Sequence, residues 1–295
     1  SNGLRFGVNA SYMDYLSIPW FAGSQGFSNT MGFNLTYPLL RSQTTNLNTT
    51  LAYDTKYYRN TLTTGQAVSE YTLHNWTATI SGNHYDGFFG GGVTTASLSM
   101  THGRFNNVLW SDSSTNNYGQ YNPAVFTKYN FSLSRNQQII PDSTILNVTL
   151  SGQYATENLD SVEKFYLGGP NGVRAYPVAQ GSGDLGAMLN IELQYMLPYS
   201  IIGYTFLDIG YVQQYQDIAT YTALATNFNA SNGYFLSGVG FGAKYAFQNL
   251  NLNASIAWPL DTNPLYKNNN GAYVQQNSDG TFGNPYIWLQ MSYNF

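Results

Sequence analysis

No cysteine occurs among the 295 residues, which excludes disulfides, thiol nucleophiles and cysteine-bound metals. Charge is almost as scarce. Only 9% of residues are Asp, Glu, Lys or Arg, against roughly 25% in soluble domains. The net charge of −4 provides no basic field for nucleic acid. No run of about 18 or more apolar residues is present, so the chain carries no candidate transmembrane helix. No charged-then-apolar leader precedes Ser1-Asn2-Gly3-Leu4, and the sequence reads as a mature chain or a fragment. What is abundant is aromatic and flexible: 16% aromatics, with 26 Tyr, and 29 Gly. The length allows one large or two ordinary domains. Few charges, many aromatics and many Asn, Ser and Thr suit a membrane β-barrel. A secreted β-sandwich or β-solenoid is the other class that this composition allows.

Period-2 alternation, the strand signal, recurs along the chain. In 187–196, Leu189, Ile191, Leu193 and Tyr195 oppose Met188, Asn190, Glu192 and Gln194. In 286–295, Ile287, Leu289, Met291, Tyr293 and Phe295 oppose Tyr286, Trp288, Gln290, Ser292 and Asn294. About twelve strands are predicted: 3–15, 26–39, 45–59, 69–83, 91–103, 123–136, 143–155, 184–197, 201–214, 233–247, 250–259 and 284–295. A sandwich would also alternate, so the connections decide. Short links near 40–44, 84–90, 137–142, 198–200 and 248–249 take turns with long ones near 16–25, 60–68, 104–122, 156–183, 215–232 and 260–283. Short turns on one side and long loops on the other mark an outer-membrane barrel. The fold class is therefore all-β, a transmembrane antiparallel barrel. Polar loop stretches such as Asp112–Asn117 and Lys267–Gly271 read as solvated tips.

Little in the chain suggests catalysis. His74, His84 and His102 lack a ligand set at metal spacing; only His84 and Asp86 lie close in sequence. No Gly-x-Ser-x-Gly elbow occurs. The Gly-rich stretch 87–92 is a turn, because neither Lys nor a helix follows it. The sequence points to no enzyme, metal or cofactor.

The long link 156–183 holds the most informative segment, Phe165-Tyr-Leu-Gly-Gly-Pro-Asn-Gly-Val-Arg-Ala-Tyr-Pro177. Its Gly and Pro residues constrain the backbone to one shape around a single cation, and such a loop is more often functional than a plain connector. Strand 201–214 carries Phe206-Leu-Asp-Ile-Gly210. Alternation places Phe206, Asp208 and Gly210 on the lumen side, because a carboxylate facing lipid near mid-depth would cost roughly 1–3 kcal/mol or more.

These segments resemble two motifs of the outer-membrane pores of two-partner secretion (the hemolysin secretion/activation family) and of the wider barrel-assembly superfamily. One is the Leu-Gly-Gly…Val-Arg-Gly-Tyr segment of a loop that folds into the barrel lumen, matched here by Leu167, Gly168, Gly169, Val173, Arg174, Ala175 and Tyr176. Ala175 stands where the family has Gly, which questions the tight backbone geometry a Gly would allow. The other is Phe-x-Asp-x-Gly, whose Asp receives the loop Arg. The resemblance implies that Arg174 pairs with Asp208, with Glu192 on the preceding strand as the second candidate. Leu35-Thr-Tyr-Pro-Leu-Leu-Arg41, followed by Thr45–Lys56, is similar to a further stretch of the secretion pores, and Pro38 fits a strand end where pairing stops.

The terminal row Ile287, Leu289, Met291, Tyr293 and Phe295 resembles the signal by which outer-membrane barrels engage the barrel-assembly machinery. The family barrel has sixteen strands behind two polypeptide-transport-associated (POTRA) domains. Seven strands precede the motif loop here and five follow it. The whole of 1–295 thus reads as barrel, without those domains, and is either a fragment or a smaller barrel. The implied function is a bacterial outer-membrane pore that moves an unfolded, hemolysin- or adhesin-like partner polypeptide from periplasm to cell surface without ATP. A barrel insertase of the same superfamily and a passive porin are the alternatives. The partners expected are the secreted polypeptide, the lipid bilayer and the assembly machinery.

Overall fold

The structure, a computed structural model, describes residues 3–17, 24–62, 67–110, 124–217, 231–264, 266–267, 273–275 and 277–294. Seven strands come first: β1 (Arg5–Ser17), β2 (Ser24–Arg41), β3 (Thr45–Leu62), β4 (Ala67–Asp86), β5 (Gly92–Trp110), β6 (Val125–Ile140) and β7 (Thr144–Ala155). The long segment after β7 contains the two-residue strands β8 (Phe165–Tyr166) and β9 (Ser182–Gly183), which pair with each other. Then come β10 (Leu185–Leu197), β11 (Ile201–Gln213), β12 (Gly233–Phe247) and β13 (Leu250–Pro259). A small ribbon of β14 (Tyr266–Lys267) and β15 (Tyr273–Val274) precedes β16 (Tyr286–Tyr293).

The twelve longer strands form one sheet in the order β1-β2-β3-β4-β5-β6-β7-β10-β11-β12-β13-β16. Apart from the minor pairs, every neighbour in the sheet is a neighbour in sequence, which is the meander expected from the alternation. The tight turns follow the expected positions, at 198–200 between β10 and β11 and at 248–249 between β12 and β13. Several strand boundaries differ. The long links are shorter than predicted, because β3 runs to Leu62 and β5 to Trp110. Ladder pairing continues there through polar residues, such as Asn60, whose amide donates to Ser69 Oγ at 2.7 Å. Strand β2 also continues past Pro38 to Arg41, through a register shift between Pro38 and Leu40. A bulge is a place where a residue lacking N–H is tolerated, so Pro38 does not end the strand. The tips 112–117 and 268–271, and Phe295, lie outside the described residues.

The chain divides into two compact units. The first comprises residues 1–82, 97–129 and 155–159. Its apolar centre is Tyr71, Leu73, Phe105, Phe126, Ala155 and Leu159, with Tyr58 against it. The second comprises 83–96, 130–154 and 160–295. In this unit the segment between β8 and β9 packs onto one face of β10–β13. Leu167, Val173, Ala175 and Tyr176 from that loop join Met188, Tyr204, Phe206, Val212, Leu236 and Ala257 from the sheet in one buried cluster. The opposite face of the sheet carries exposed Phe235, Val239, Phe241, Trp258, Ile287, Leu289 and Met291. Apolar residues exposed in such a row are the mark of a lipid-facing surface.

Candidate functional site

The motif loop is a compact piece of backbone. The Val173 N–H donates to the Leu167 carbonyl (2.7 Å), Gly169 N–H to Tyr176 O (3.1 Å), and Gly168 N–H to Gln180 O (2.9 Å). Two glycines make this fold possible. Gly169 has φ +119°, open only to glycine at low cost. A Cβ on Gly172 would lie 1.9 Å from the Leu167 carbonyl oxygen. At the loop base, Lys164 Nζ sits 2.9 Å from Asp184 Oδ1 and donates to Gln214 O at 2.6 Å, and the Gln216 N–H donates to Asp184 Oδ2 at 2.8 Å. Burial pulls the Lys164 ammonium below its usual pKa, and the Asp184 charge offsets part of that shift.

At the loop's tip, Arg174 reaches the sheet. Asp208 accepts three hydrogen bonds from this one residue: its backbone N–H (3.0 Å) and Nε (2.9 Å) on Oδ2, and Nη2 (2.8 Å) on Oδ1. The remaining guanidinium edge donates through Nη1 to Glu192 Oε2 at 2.6 Å. The two candidate partners are therefore not alternatives. Arg174 is 8% exposed, Glu192 8% and Asp208 0%. Burial alone would depress the Arg174 pKa. The hydrogen bonds and charges of Asp208 and Glu192 outweigh burial, and the pKa stands above the ordinary arginine value.

Each residue of the Phe206-x-Asp208-x-Gly210 pattern has a separate physical role. Asp208 binds the guanidinium. The Phe206 ring lies 3.5 Å from Arg174 Cζ, a cation–π stack. A Cβ on Gly210 would fall 2.5 Å from Leu167 Cδ2 and 3.1 Å from Val173 Cγ2, so bare backbone there admits the loop's apolar side. The Ala175 departure is accommodated in the same way. Ala175 is fully buried, and its Cβ lies 2.3 Å from where a Cβ on Gly238 would be. Its φ is not positive, so alanine suffers no backbone strain. The extra methyl occupies the space that Gly238 leaves open.

Several members of the site escaped the sequence reading. Asn190 donates to both Asp208 Oδ1 (2.7 Å) and the Gly172 carbonyl (3.0 Å). It lies directly across from Asp208 in the β10–β11 register. A tight turn centred on residue 199 already fixes that pairing, so the signal was present. Lys244 Nζ donates to Glu192 Oε1 at 2.6 Å, beside Gln194 Nε2 at 2.7 Å. The Trp288 indole N–H donates to the Arg174 carbonyl (2.7 Å) and the Tyr176 hydroxyl to the Asp261 carbonyl (2.6 Å). Gln180 donates to Asn263 Oδ1 at 2.7 Å and accepts the Ser278 N–H at 2.7 Å. The segment between β13 and β16 thus clasps the loop, and no local sequence signal announces contacts separated by 83 to 114 residues.

Ile287, Leu289, Met291 and Tyr293 share one exposed row on β16. His74 Nδ1 and His102 Nδ1 are hydrogen-bonded to Tyr53 (2.8 Å) and Thr127 (3.1 Å), respectively. Among the described residues no group of three or more His, Asp or Glu converges as a metal site.

Comparison with known proteins identifies the family. Residues 4–245 match the family model described as haemolysin secretion/activation protein ShlB/FhaC/HecB. The heme/hemopexin transporter protein HuxB of Haemophilus influenzae is 31% identical over 270 residues, covering 88% of this chain and 46% of that protein. The same protein from strain 86-028NP is 29% identical over the same length. The chain thus spans about half the length of the curated relatives it matches. Among solved structures, CdiB from Escherichia coli superposes with a TM-score of 0.73 at 20% identity, over 98% of this chain and 50% of that one. CdiB from Acinetobacter baumannii gives 0.67 at 18% identity, over 88% and 44%. The family match, the sheet order and the loop pinned to the sheet through Arg174 agree: the chain belongs to the haemolysin secretion/activation family, the outer-membrane β-barrel transporters of two-partner secretion.

Proposed function

We propose that this chain forms the membrane-embedded part of a channel that passes an unfolded partner polypeptide from periplasm to cell surface. No nucleotide drives the step; folding of the partner outside supplies the energy. The motif loop occupies the lumen at rest, and Arg174, held by Asp208 and Glu192, keeps it there. For passage the loop must shift or rearrange. The observation that carries this reading is the buried Arg174 pin itself, within a family of secretion transporters. A passive-pore reading accounts for the sheet but leaves unexplained why the loop carries a cation held by two carboxylates. The outward row Ile287, Leu289, Met291 and Tyr293, ending at Phe295, serves as the segment read by the barrel-assembly machinery.

The test is secretion by cells carrying the full-length protein, with the co-encoded exoprotein followed by immunoblot of the medium. Arg174→Ala and Asp208→Ala should each reduce the secreted fraction and admit large antibiotics that the parent excludes. Secretion that continues undiminished when the whole gene is deleted would remove the translocation reading.

A further inference from the structure

The face of the sheet that carries the Arg174 pin is layered, and the layers change character toward the 198–200 and 248–249 turns. The register sets Phe206 against Gly240 and Tyr204 against Gly242. A Cβ on either glycine would lie 2.4 Å from the facing ring, so these aromatic rings lie flat on bare backbone. One row further, the register aligns Ile202, Lys244, Asn253 and Gln290 across four strands. Asn251 and Ser292 form the next row. These two rows, together with the intervening row of Tyr245, Leu252 and Met291, line a cavity of about 560 Å³ at this end of the sheet. The loop fills the layers above it and leaves this one open.

The chemistry of the lining is selective. Asn253 Nδ2 donates to Gln290 Oε1 at 3.0 Å, and Asn253 Oδ1 accepts the Tyr204 hydroxyl at 2.7 Å. Amides offer both donors and acceptors, and neighbouring strands space them about 4.8 Å apart. An extended peptide presents its N–H and C=O groups at comparable intervals. Lys244 is the single charged residue of the described lining, and no carboxylate faces it from there. Its side chain is 36% exposed. The ammonium has three donors, and Glu192 takes one of them at 2.6 Å from the pin side.

We propose that this cavity receives an extended segment of the translocated polypeptide, and that Lys244 favours segments carrying a carboxylate side chain. The source of the ligand rests on the translocation reading; the site itself rests on the lining. A carboxylate in the cavity would share the Lys244 ammonium with Glu192, which places the incoming chain one residue away from the carboxylate that holds Arg174.

The experiment uses the full-length protein in planar bilayers and two synthetic 14-residue peptides of Asn, Ser, Thr and Gly. One carries two Asp, and the other has Asn in their place. Each is added on the periplasmic side and the dwell time of current blockades is measured. In the parent, the Asp peptide should dwell about two- to fivefold longer than its Asn counterpart, the range for a partly exposed ion pair. The difference should vanish in Lys244→Gln and persist in Lys244→Arg, which keeps the charge and serves as the folding control. Equal dwell times in the parent, a preference that survives Lys244→Gln, or no blockade by either peptide would each overturn the proposal. Secretion of the exoprotein by the parent is scored separately. Peptide discrimination without protein-dependent secretion leaves the cavity assignment standing and removes the translocation reading; secretion without discrimination does the reverse.

Discussion

Removing the Asp208 carboxylate is the sharpest perturbation of the pin. In Asp208→Ala, Arg174 loses three hydrogen bonds and Asn190 loses one. Glu192 remains, so the guanidinium is not left without a counter-charge. Breaking one partner of a buried pair costs about 3–5 kcal/mol, which lowers the ratio of seated to unseated loop by a factor of about 10² to 5 × 10³. The absence of native cysteine makes this ratio measurable. Val173, on the loop itself, is fully buried, and Val173→Cys introduces the only thiol within residues 1–295. When loop opening and closing are fast relative to labelling, the labelling rate follows the open population. A membrane-impermeant maleimide should therefore label Val173→Cys at least 100-fold faster in the Asp208→Ala background. Glu192→Gln should raise the rate less, because Asp208 keeps all three of its Arg174 bonds. Arg174→Ala combined with Asp208→Ala should label more slowly than the two separate effects together predict, because the two residues act as one pair. Labelling in Asp208→Ala that matches the parent would refute the claim that this pair holds the loop.

Three further outcomes follow from the same contacts. Gly238→Ala should unseat the loop, since its Cβ would fall 2.3 Å from Ala175 Cβ; adding Ala175→Gly should restore slow labelling of Val173→Cys, and failure of that rescue would contradict the steric account. Phe206→Leu keeps the apolar contact but removes the stack on Arg174, and should cost about 0.5–2 kcal/mol in loop seating, read as a two- to thirtyfold rise in the same labelling rate. Lys164→Ala leaves Asp184, fully buried, without its cation; a loss of about 3–5 kcal/mol should appear as a lower midpoint in the heat-modifiability transition on semi-native gels.

The strands were legible because one physical pattern repeats twelve times: apolar and polar residues alternate, and tight turns separate them. The parity of long and short links carried the rest of the architecture. The strand ends were not legible, since pairing past Asn60 or Asn106 depends on partners in the neighbouring strand and not on alternation. The site divides in the same way. Asp208 stood out as a lone carboxylate on an uncharged strand, and Arg174 as a lone cation in a constrained loop. Asn190 could have been found from the turn at 199. Gly238, Gly240 and Gly242 form a period-2 glycine row in β12, and such a row signals that something lies flat against the sheet. What lies there is decided by Ala175, Phe206 and Tyr204 in other segments. Lys244, Gln180 and Trp288 join through contacts that only the folded chain creates.

The relative size of two terms decides what the Arg174 pin contributes. The loop inserts Leu167, Val173 and Tyr176 fully, or almost fully, out of solvent. At about 1.5–3 kcal/mol for each buried side chain, these three contribute roughly 5–9 kcal/mol. That is at least as much as the 3–5 kcal/mol lost with one partner of the ion pair. The apolar residues hold the loop against the sheet, but hydrophobic contact is non-directional and would tolerate a shifted loop. The pin supplies what that contact lacks. A planar guanidinium that meets Asp208 through its Nε–Nη2 edge and Glu192 through Nη1 is satisfied in one register only. Loss of the pin should therefore leave the loop mostly inside, but in several positions, with frequent brief openings. A passing polypeptide must therefore displace the apolar contacts as well as the ion pair, whereas small solutes need only the brief openings that loss of the pin allows.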